Sequence, residues 1–258
     1  MAVVVVAAIE DMVTGILDDT PDIDVVFHQA RAGHAVFHYR FTGEYGDTGD
    51  SYEKAMDRNV YHRNEASFSH HDLTWQMRTA HGLPEFDSLH YRTNLLLDGL
   101  RDIKRDIAGH AAVMNPGQGH VPVFLWYIFR PDKITLIDRD ILSLRYSQRN
   151  LTLNNCPGKC ITSSHQVGFS MNTGEQAGLI AGVLREEEGP AAVFETVRQA
   201  SKYLTSYGML LVSGSSTAIA RLIEKIKTET NLEVIARTKR RGYCLLVMKA
   251  GQVRMAGG

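Results

Sequence analysis

From residue 85 onward, short apolar runs alternate with stretches in which apolar residues recur every three or four positions. The runs predict strands and the periodic stretches predict helices. Because a helix separates each pair of strands, crossover connections are needed, and these predict a mostly parallel sheet covered on both faces. The predicted strands are 111–114, 133–137, 159–163, 178–183 and 209–212, and the predicted helices are 91–103, 122–129, 141–150, 191–204 and 217–228.

The end of the chain follows a different pattern. Two β-rich runs, 232–237 and 243–249, are separated only by the polar turn 238–242. This turn is too short for a helical crossover, so the last two strands are predicted to be antiparallel neighbours. The sequence therefore predicts an α/β fold with a doubly wound, Rossmann-like, mostly parallel sheet and an antiparallel last strand.

The first 84 residues show less regular patterning. An apolar run covers 2–9, helical spacing covers 7–17, and two β-rich segments, 24–31 and 34–42, flank an Ala-Gly turn that predicts a hairpin. The Gly-, Asp- and Tyr-rich stretch 42–52 predicts irregular structure. We expect a small N-terminal α+β lobe over residues 1–84, which covers a site or forms an interface, and a second domain over residues 85–258.

Composition narrows the classes of protein. The chain has 28 Lys plus Arg against 29 Asp plus Glu, a net charge of −1, which argues against a polybasic nucleic-acid-binding protein. The apolar runs are shorter than the roughly 18 residues of a membrane span, and no basic segment precedes the first run. Three cysteines, including Cys156 and Cys160 around a Pro-Gly turn, are too few for a disulfide framework or a metal site. We expect a cytoplasmic protein with no membrane partner and no metal.

One loop carries the first chemical signal. Segment 115–119 (Asn-Pro-Gly-Gln-Gly) follows a predicted strand and precedes a predicted helix. Gly117 and Gly119 allow backbone N–H groups to approach a ligand at the helix N-terminus. Asp138 ends the next predicted strand, and a carboxylate about 20 residues beyond such glycines is placed to bind ribose hydroxyls. The pair predicts a site for a nucleoside-containing cofactor.

The order of these elements resembles the class I S-adenosylmethionine-dependent methyltransferases. The similarity is greatest to the "methyltransferase small" group, which includes ribosomal RNA guanine-N2 methyltransferases, and covers roughly residues 85–250. Segments 95–100, 115–119 and 134–151 carry it, the second resembling the family's Asp/Glu-x-Gly-x-Gly-x-Gly. The resemblance implies a seven-stranded sheet, S-adenosylmethionine as cofactor, and methyl transfer to RNA or a small molecule.

Position by position, the resemblance also implies roles for individual residues. Gly117 and Gly119 would form the floor beneath the methionine part, and Asp138 would hold the ribose. Asn115 stands where the family has an acidic residue near the methionyl amine, which is a departure from the pattern. The candidate cofactor-binding residues are Asn115, Gly117, Gly119, Asp138, Arg139, Ser164 and His165.

Two of these candidates follow the predicted strand 159–163. Ser164 and His165 fall near the position at which the family has an adenine-contacting Asp, so His165 is a second departure. A third is Val121, which stands in place of the family's last motif glycine.

Segment 179–185 departs most from the family. Base-amine methyltransferases of this group have Asn/Asp-Pro-Pro-Phe/Tyr here, whereas this chain has Leu-Ile-Ala-Gly-Val-Leu-Arg. The usual acceptor oxygen and stacking aromatic are both missing, and the catalytic residues stay unassigned. Two hypotheses remain open: a methyltransferase with an RNA or small-molecule substrate, or a catalytically degenerate relative that binds a nucleoside cofactor or a partner. A homodimer is also left open.

Several other polar groups are candidates for chemistry. Each has a more ordinary structural interpretation, as a helix cap, a solvated charge run or an exposed turn. Because neighbouring side chains on a helix or strand point apart, the adjacent His70 and His71 argue against metal binding. The candidates are His120 beside the glycine loop, Glu186, Glu187 and Glu188, the histidines His62, His70 and His71, and the basic turn 238–241 with Lys249 and Arg254.

Overall fold

The computed structural model describes residues 2–7, 10–20, 22–31, 34–42, 59–104, 107 and 109–251. The chain divides into two compact units, Met1–Arg63 and Asn64–Gly258. Most of the stretch predicted to be irregular, 43–52, lies outside the described residues, as does Arg254. None of the described helices is long and apolar enough to cross a membrane.

In its described residues, the first unit contains a three-stranded antiparallel sheet and one helix. Its elements are β1 (Ala2–Ala7), α1 (Glu10–Asp19), β2 (Ile23–Arg31) and β3 (His34–Phe41). The strand order is β1-β3-β2, and the predicted hairpin is confirmed as the β2–β3 pair. Its small core contains Val13, Leu17, Ala35 and Phe37.

The second unit begins with a hairpin of β4 (His62–His70) and β5 (Leu73–Ala80). Phe68, Trp75 and Met77 from this hairpin are buried in the same hydrophobic cluster as Leu96. The division between the units falls between Arg63 and Asn64, within the first residues of β4, whereas the sequence predicts a domain boundary after residue 84. The alternation of Leu73, Trp75 and Met77 is the period-two signal of a half-buried strand.

The rest of the second unit is a seven-stranded sheet in the order β11-β12-β10-β9-β6-β7-β8. Six strands run in one direction and β12 runs antiparallel to both its neighbours, so the predicted fold is confirmed. The elements are α2 (Tyr91–Arg101), β6 (His110–Met114), α3 (His120–Phe129), β7 (Lys133–Asp138), α4 (Ile141–Leu153), β8 (Ile161–His165), β9 (Ala177–Val183), α5 (Pro190–Ser201), β10 (Leu204–Ser215), α6 (Ser216–Glu229), β11 (Leu232–Arg240) and β12 (Tyr243–Ala250).

Side-chain alternation along the central strands divides the core into two layers. Ala111 and Val113 of β6 pack in one cluster with residues of α2, α3 and α4. Ala112 and Met114 pack in a second cluster with residues of α5 and α6. The sheet is therefore covered on both faces, which leaves the carboxyl ends of its parallel strands as the place for a ligand site.

Local signals in the sequence define several element ends. The Asp140 carboxylate accepts hydrogen bonds from the backbone N–H groups of Leu142 and Ser143 at 2.9 and 3.4 Å and so caps α4. The predicted polar turn 238–242 is shorter than expected, since β11 continues to Arg240. Arg241 and Gly242 have φ of +51° and +83°, as a two-residue hairpin turn requires.

The first unit has the same topology as the end of the second. In each, a strand leads through a helix to an edge strand, and the last strand inserts antiparallel between the two. The order β1-β3-β2 thus corresponds to β10-β12-β11. The chain uses one β–α–β–β arrangement twice.

Candidate functional site

The carboxyl ends of β6, β7 and β8 meet at one edge of the sheet. The backbone N–H of Asn115 donates to the Ile137 carbonyl at 2.9 Å, and Gln166 N–H donates to the Asp138 carbonyl at 2.9 Å. Asp138 lies opposite His165 in the β7–β8 register. The structure therefore brings the predicted cofactor-binding residues to a common edge.

The loop between β6 and α3 has the backbone that its glycines predict. Gly117 and Gly119 have φ of +58° and +103°, and Asn115 is also left-handed at +52°. A Cβ on Gly119 would lie 2.9 Å from Ser147 Cα on α4, which is closer than side chains approach backbone. Gly119 also begins α3 without a side-chain cap, so N–H groups of the first turn are available to a ligand.

Asp138 is buried at the end of β7, with 1% of its surface exposed. Its Oδ1 accepts hydrogen bonds from the Asp140 N–H at 2.9 Å and from Arg185 at 2.5 Å, and its Oδ2 accepts from Ser143 Oγ at 2.7 Å. Burial raises the pKa of this carboxyl, and the Asp140 N–H and the Arg185 charge oppose that shift. Both carboxylate oxygens thus have protein partners.

Arg185 is a residue of the candidate site that the sequence analysis does not identify. It follows β9, and its side chain is 20% exposed where it pairs with Asp138. In the sequence, segment 179–185 is distinguished only by the acceptor groups that it lacks. The available signal was a basic side chain at the end of β9, the strand that pairs with β6 in the parallel sheet.

Little space remains beside this ion pair. A cavity of about 20 Å³ is lined by Asn115, Arg139, Gln166, Arg185 and Glu188, among others, which is room for one water. Small-molecule sites typically occupy about 300 Å³ or more. The left-handed glycine loop and the Asp138 carboxylate are features that suit an adenosine-containing cofactor, but Arg185 is bound to that carboxylate in this structure.

Other predicted residues at this edge are also engaged by protein groups. The Asn115 side-chain amide donates to the Val183 carbonyl at 2.8 Å. Arg139 pairs with Glu188 at 3.1 Å, and His165 Nε2 lies 2.9 Å from the Arg139 carbonyl. Ser164 is half-buried at the end of β8.

A larger cavity lies elsewhere. It has a volume of about 280 Å³ and is lined by residues of α5 and α6, including Phe194, Arg221 and Lys225. None of the predicted cofactor-binding residues lines it. This cavity is therefore separate from the candidate cofactor site at the ends of β6 to β8.

His120, a candidate proton acceptor, is a structural residue. It is 1% exposed, its Nδ1 accepts a hydrogen bond from Trp75 Nε1 at 3.3 Å, and its Nε2 donates to the Glu85 carbonyl at 3.0 Å. Burial lowers the pKa of this imidazole, which keeps the ring neutral. The ring holds the segment before α2 against the start of α3 and has no nitrogen left for a substrate.

Gln118 anchors the same segment. Its side-chain oxygen accepts from the Ala80 N–H at 3.0 Å, and its amide donates to the carbonyls of Ala80 and Leu83 at 3.1 and 3.3 Å. Pro84 lies within 3.9 Å of the position that a Cβ on Gly117 would occupy. Residues 80–85 therefore lie over the glycine loop.

Two of the remaining candidates have structural roles. Glu186 accepts hydrogen bonds from the N–H and the hydroxyl of Ser215, both at 2.5 Å, at the start of α6. In the basic turn, Arg241 lies 4.7 Å from the centre of the Tyr91 ring.

The cysteines do not favour a metal site. Burial, with Cys160 nearby, raises the pKa of the Cys156 thiol to about 12, which disfavours the thiolate that a metal requires.

The expectation that His70 and His71 point apart is wrong. The Nε2 atoms of both rings lie beside Asp98 Oδ1, at 2.9 and 2.8 Å. His71 has a φ of +51°, which turns the backbone and brings its ring to the same side as that of His70.

Comparison with solved structures identifies the fold. No protein-family model and no curated sequence matches the chain. The 16S rRNA N2 methyltransferase RsmC of T. thermophilus, solved with AdoMet and guanosine, superposes with a TM-score of 0.61 at 13% identity. The fold is that of the S-adenosylmethionine-dependent methyltransferases. The alignment covers 96% of this chain, which spans only 64% of the RsmC chain.

A second solved structure has the same fold. The ribosomal protein L11 methylase of Lactobacillus delbrueckii subsp. bulgaricus superposes with a TM-score of 0.55 at 14% identity, over 64% of this chain and 81% of that one. Both comparisons therefore indicate that the seven-stranded sheet of the second unit has the methyltransferase fold.

Proposed function

We propose that this protein binds S-adenosylmethionine at the carboxyl ends of β6 to β8 and transfers its methyl group to an RNA or small-molecule acceptor. The observation that carries the proposal is the left-handed glycine loop at Gly117 and Gly119 beside the buried Asp138 carboxylate. A nucleoside cofactor needs both features, one for close backbone approach and one for its ribose hydroxyls.

The bound cofactor would supply an electrophilic methyl group on its sulfonium. Gly117 and Gly119 would hold the methionine part, with Asn115 near its amine. Ser164 and His165 would border the adenine, and Arg139 would flank Asp138. Transfer then requires an acceptor atom held in line at about 3 Å.

Binding at Asp138 requires the Arg185 side chain to move. Ribose hydroxyls and the guanidinium both donate hydrogen bonds to this carboxylate, so they compete for the same oxygens. Because the Arg185 side chain is 20% exposed, it has a route to solvent. Arg185 would then face the acceptor side of the cleft.

Calorimetric titration with S-adenosylmethionine and S-adenosylhomocysteine tests the cofactor site. The parent chain should bind, and Asp138→Ala should abolish binding. Asp132→Ala is the matched control, because Asp132 is exposed just before β7. Loss of binding in the control, or equal binding by Asp138→Ala, would contradict the proposed site.

A second candidate function is nucleoside or partner binding without methyl transfer. The sequence of segment 179–185 suggests it, because this segment lacks the acceptor groups usual in base-amine methyltransferases. An assay with labelled methyl donor, run on total RNA and on a metabolite extract, separates the two functions. Cofactor binding without labelling of either pool would support the second.

A further inference from the structure

Three side chains outside the cofactor site converge on one point. His70 Nε2 and His71 Nε2 lie 2.9 and 2.8 Å from Asp98 Oδ1. A ligand atom from each of the three residues lies within 4.8 Å of those from the other two. The histidines belong to the end of β4 and its turn, and Asp98 belongs to α2. None of the three is among the predicted cofactor-binding residues.

This convergence depends on an unusual backbone conformation. Adjacent residues of a strand point to opposite faces. His71 instead adopts a φ of +51°, a left-handed conformation that is uncommon outside glycine but enriched in Asn, Asp and His. As a result, the two imidazoles pack with ring centres 4.5 Å apart and present the same nitrogen to one carboxylate.

Neighbouring contacts hold the three residues in place. The His70 ring packs edge-on against Phe124, with ring centres 5.5 Å apart. Arg101, one turn after Asp98 on α2, pairs with Asp72 in the same turn as His71. The turn is therefore held against α2 through Asp72 and Arg101, and the His70 ring is held against α3 through Phe124, so the candidate ligands come from ordered elements.

The cluster is also accessible from solvent. The side chain of His70 is 11% exposed, but those of His71 and Asp98 are 51% and 35% exposed. An ion could enter from this side, and water could complete its coordination.

We propose that His70, His71 and Asp98 bind a divalent transition-metal ion of the Zn²⁺ class, with water in the remaining position. Two imidazoles and a carboxylate form a ligand set that suits zinc. Bonds of about 2.1 Å in a tetrahedral site separate the ligand atoms by roughly 3.4 Å. Each nitrogen–oxygen distance would therefore lengthen by only about half an ångström. Both rings would carry their proton on Nδ1 and offer the Nε2 lone pair.

The test is titration of the chelator-treated full chain with Zn²⁺, followed by calorimetry, and with Co²⁺, followed by visible absorption. We expect one ion per chain and a tetrahedral Co²⁺ spectrum. His71→Asn keeps a residue that tolerates the left-handed turn but removes the ligand, so it should weaken Zn²⁺ binding at least tenfold. Asp98→Asn should weaken it similarly. His62→Ala, on the same strand, is the control and should bind like the parent.

Thermal unfolding supplies a second readout. Zn²⁺ should raise the melting temperature of the parent and of His62→Ala, but not that of His71→Asn, and far-UV circular dichroism should show that each variant is folded. The proposal is overturned if the parent binds no Zn²⁺ at micromolar concentrations, or if folded His71→Asn and Asp98→Asn bind as tightly as the parent. Neither readout depends on methyl transfer or cofactor binding.

Discussion

The carboxyl edge of the sheet has two halves that depart from the methyltransferase pattern to different degrees. The half at β6 and β7 has a glycine loop with the required backbone and a buried carboxylate at Asp138. The half at β9 has an apolar segment that ends in Arg185 and lacks the usual acceptor groups. Arg185 links the halves, because its guanidinium occupies the carboxylate that a ribose would use. Under the proposed function, the half at β6 and β7 is the cofactor half and the half at β9 is the acceptor half, and Arg185 would have to leave Asp138 before a cofactor binds.

The largest expected effect comes from removing this link. Arg185→Met leaves the buried Asp138 without its cation and should lower the free energy of unfolding by about 3 kcal/mol, since breaking a buried ion pair strands the other charge. The double variant with Asp138→Asn should recover part of that loss. Urea unfolding at neutral pH measures both. Asp138→Asn alone completes the comparison. If the losses in free energy of unfolding of Arg185→Met and Asp138→Asn simply add in the double variant, the two halves are not coupled.

A second prediction concerns the cofactor half alone. Gly119→Ala should destabilise the protein by about 2 kcal/mol, because its Cβ would meet Ser147 Cα at 2.9 Å and its φ is +103°. Gly117→Ala, whose Cβ would meet only Pro84 at 3.9 Å, should cost less. Denaturant unfolding of the two variants gives the comparison. Equal losses would mean that the close approach to α4 is unimportant.

The link should also affect cofactor affinity. In Arg185→Met, no ion pair with Asp138 has to be broken before the cofactor binds. S-adenosylmethionine should therefore bind to this variant about tenfold more tightly than it binds to the parent. Calorimetry measures the difference. Lys202→Met serves as the control, because Lys202 is an exposed cation at the C-terminal end of α5. Weaker binding by Arg185→Met would instead make Arg185 a cofactor ligand.

The smallest effect concerns His120, the buried residue that follows the glycine loop. Burial lowers the pKa of His120 below 6.5, with Glu85 opposing that shift and His90 adding to it. The unfolded chain therefore takes up a proton more readily than the folded one between this lowered pKa and 6.5. Stability from this group is present above that window and should fall as the pH drops through it. His120→Gln should flatten the pH dependence of urea unfolding; an unchanged slope would assign the effect to other groups.

Much of the architecture was predictable from local patterns. Strand and helix periodicity between residues 85 and 250 predicted the mostly parallel sheet, and the short polar turn after β11 predicted the antiparallel β12. The glycine spacing and the position of Asp138 predicted which strand ends form the candidate site. These features follow from sequence because periodicity, turn length and backbone freedom are properties of neighbouring residues.

The tertiary structure alone decided which distant groups meet. Arg185 and Asp138 are 47 positions apart, and His70 and Asp98 are 28 apart. The β4–β5 hairpin precedes the regular strand and helix pattern in the chain, yet its buried face packs in the same core as Leu96. Such contacts depend on how whole elements pack and on the burial that the packing produces. A local pattern therefore located the glycine loop and its carboxylate, while the long-range fold supplied the arginine that occupies the carboxylate.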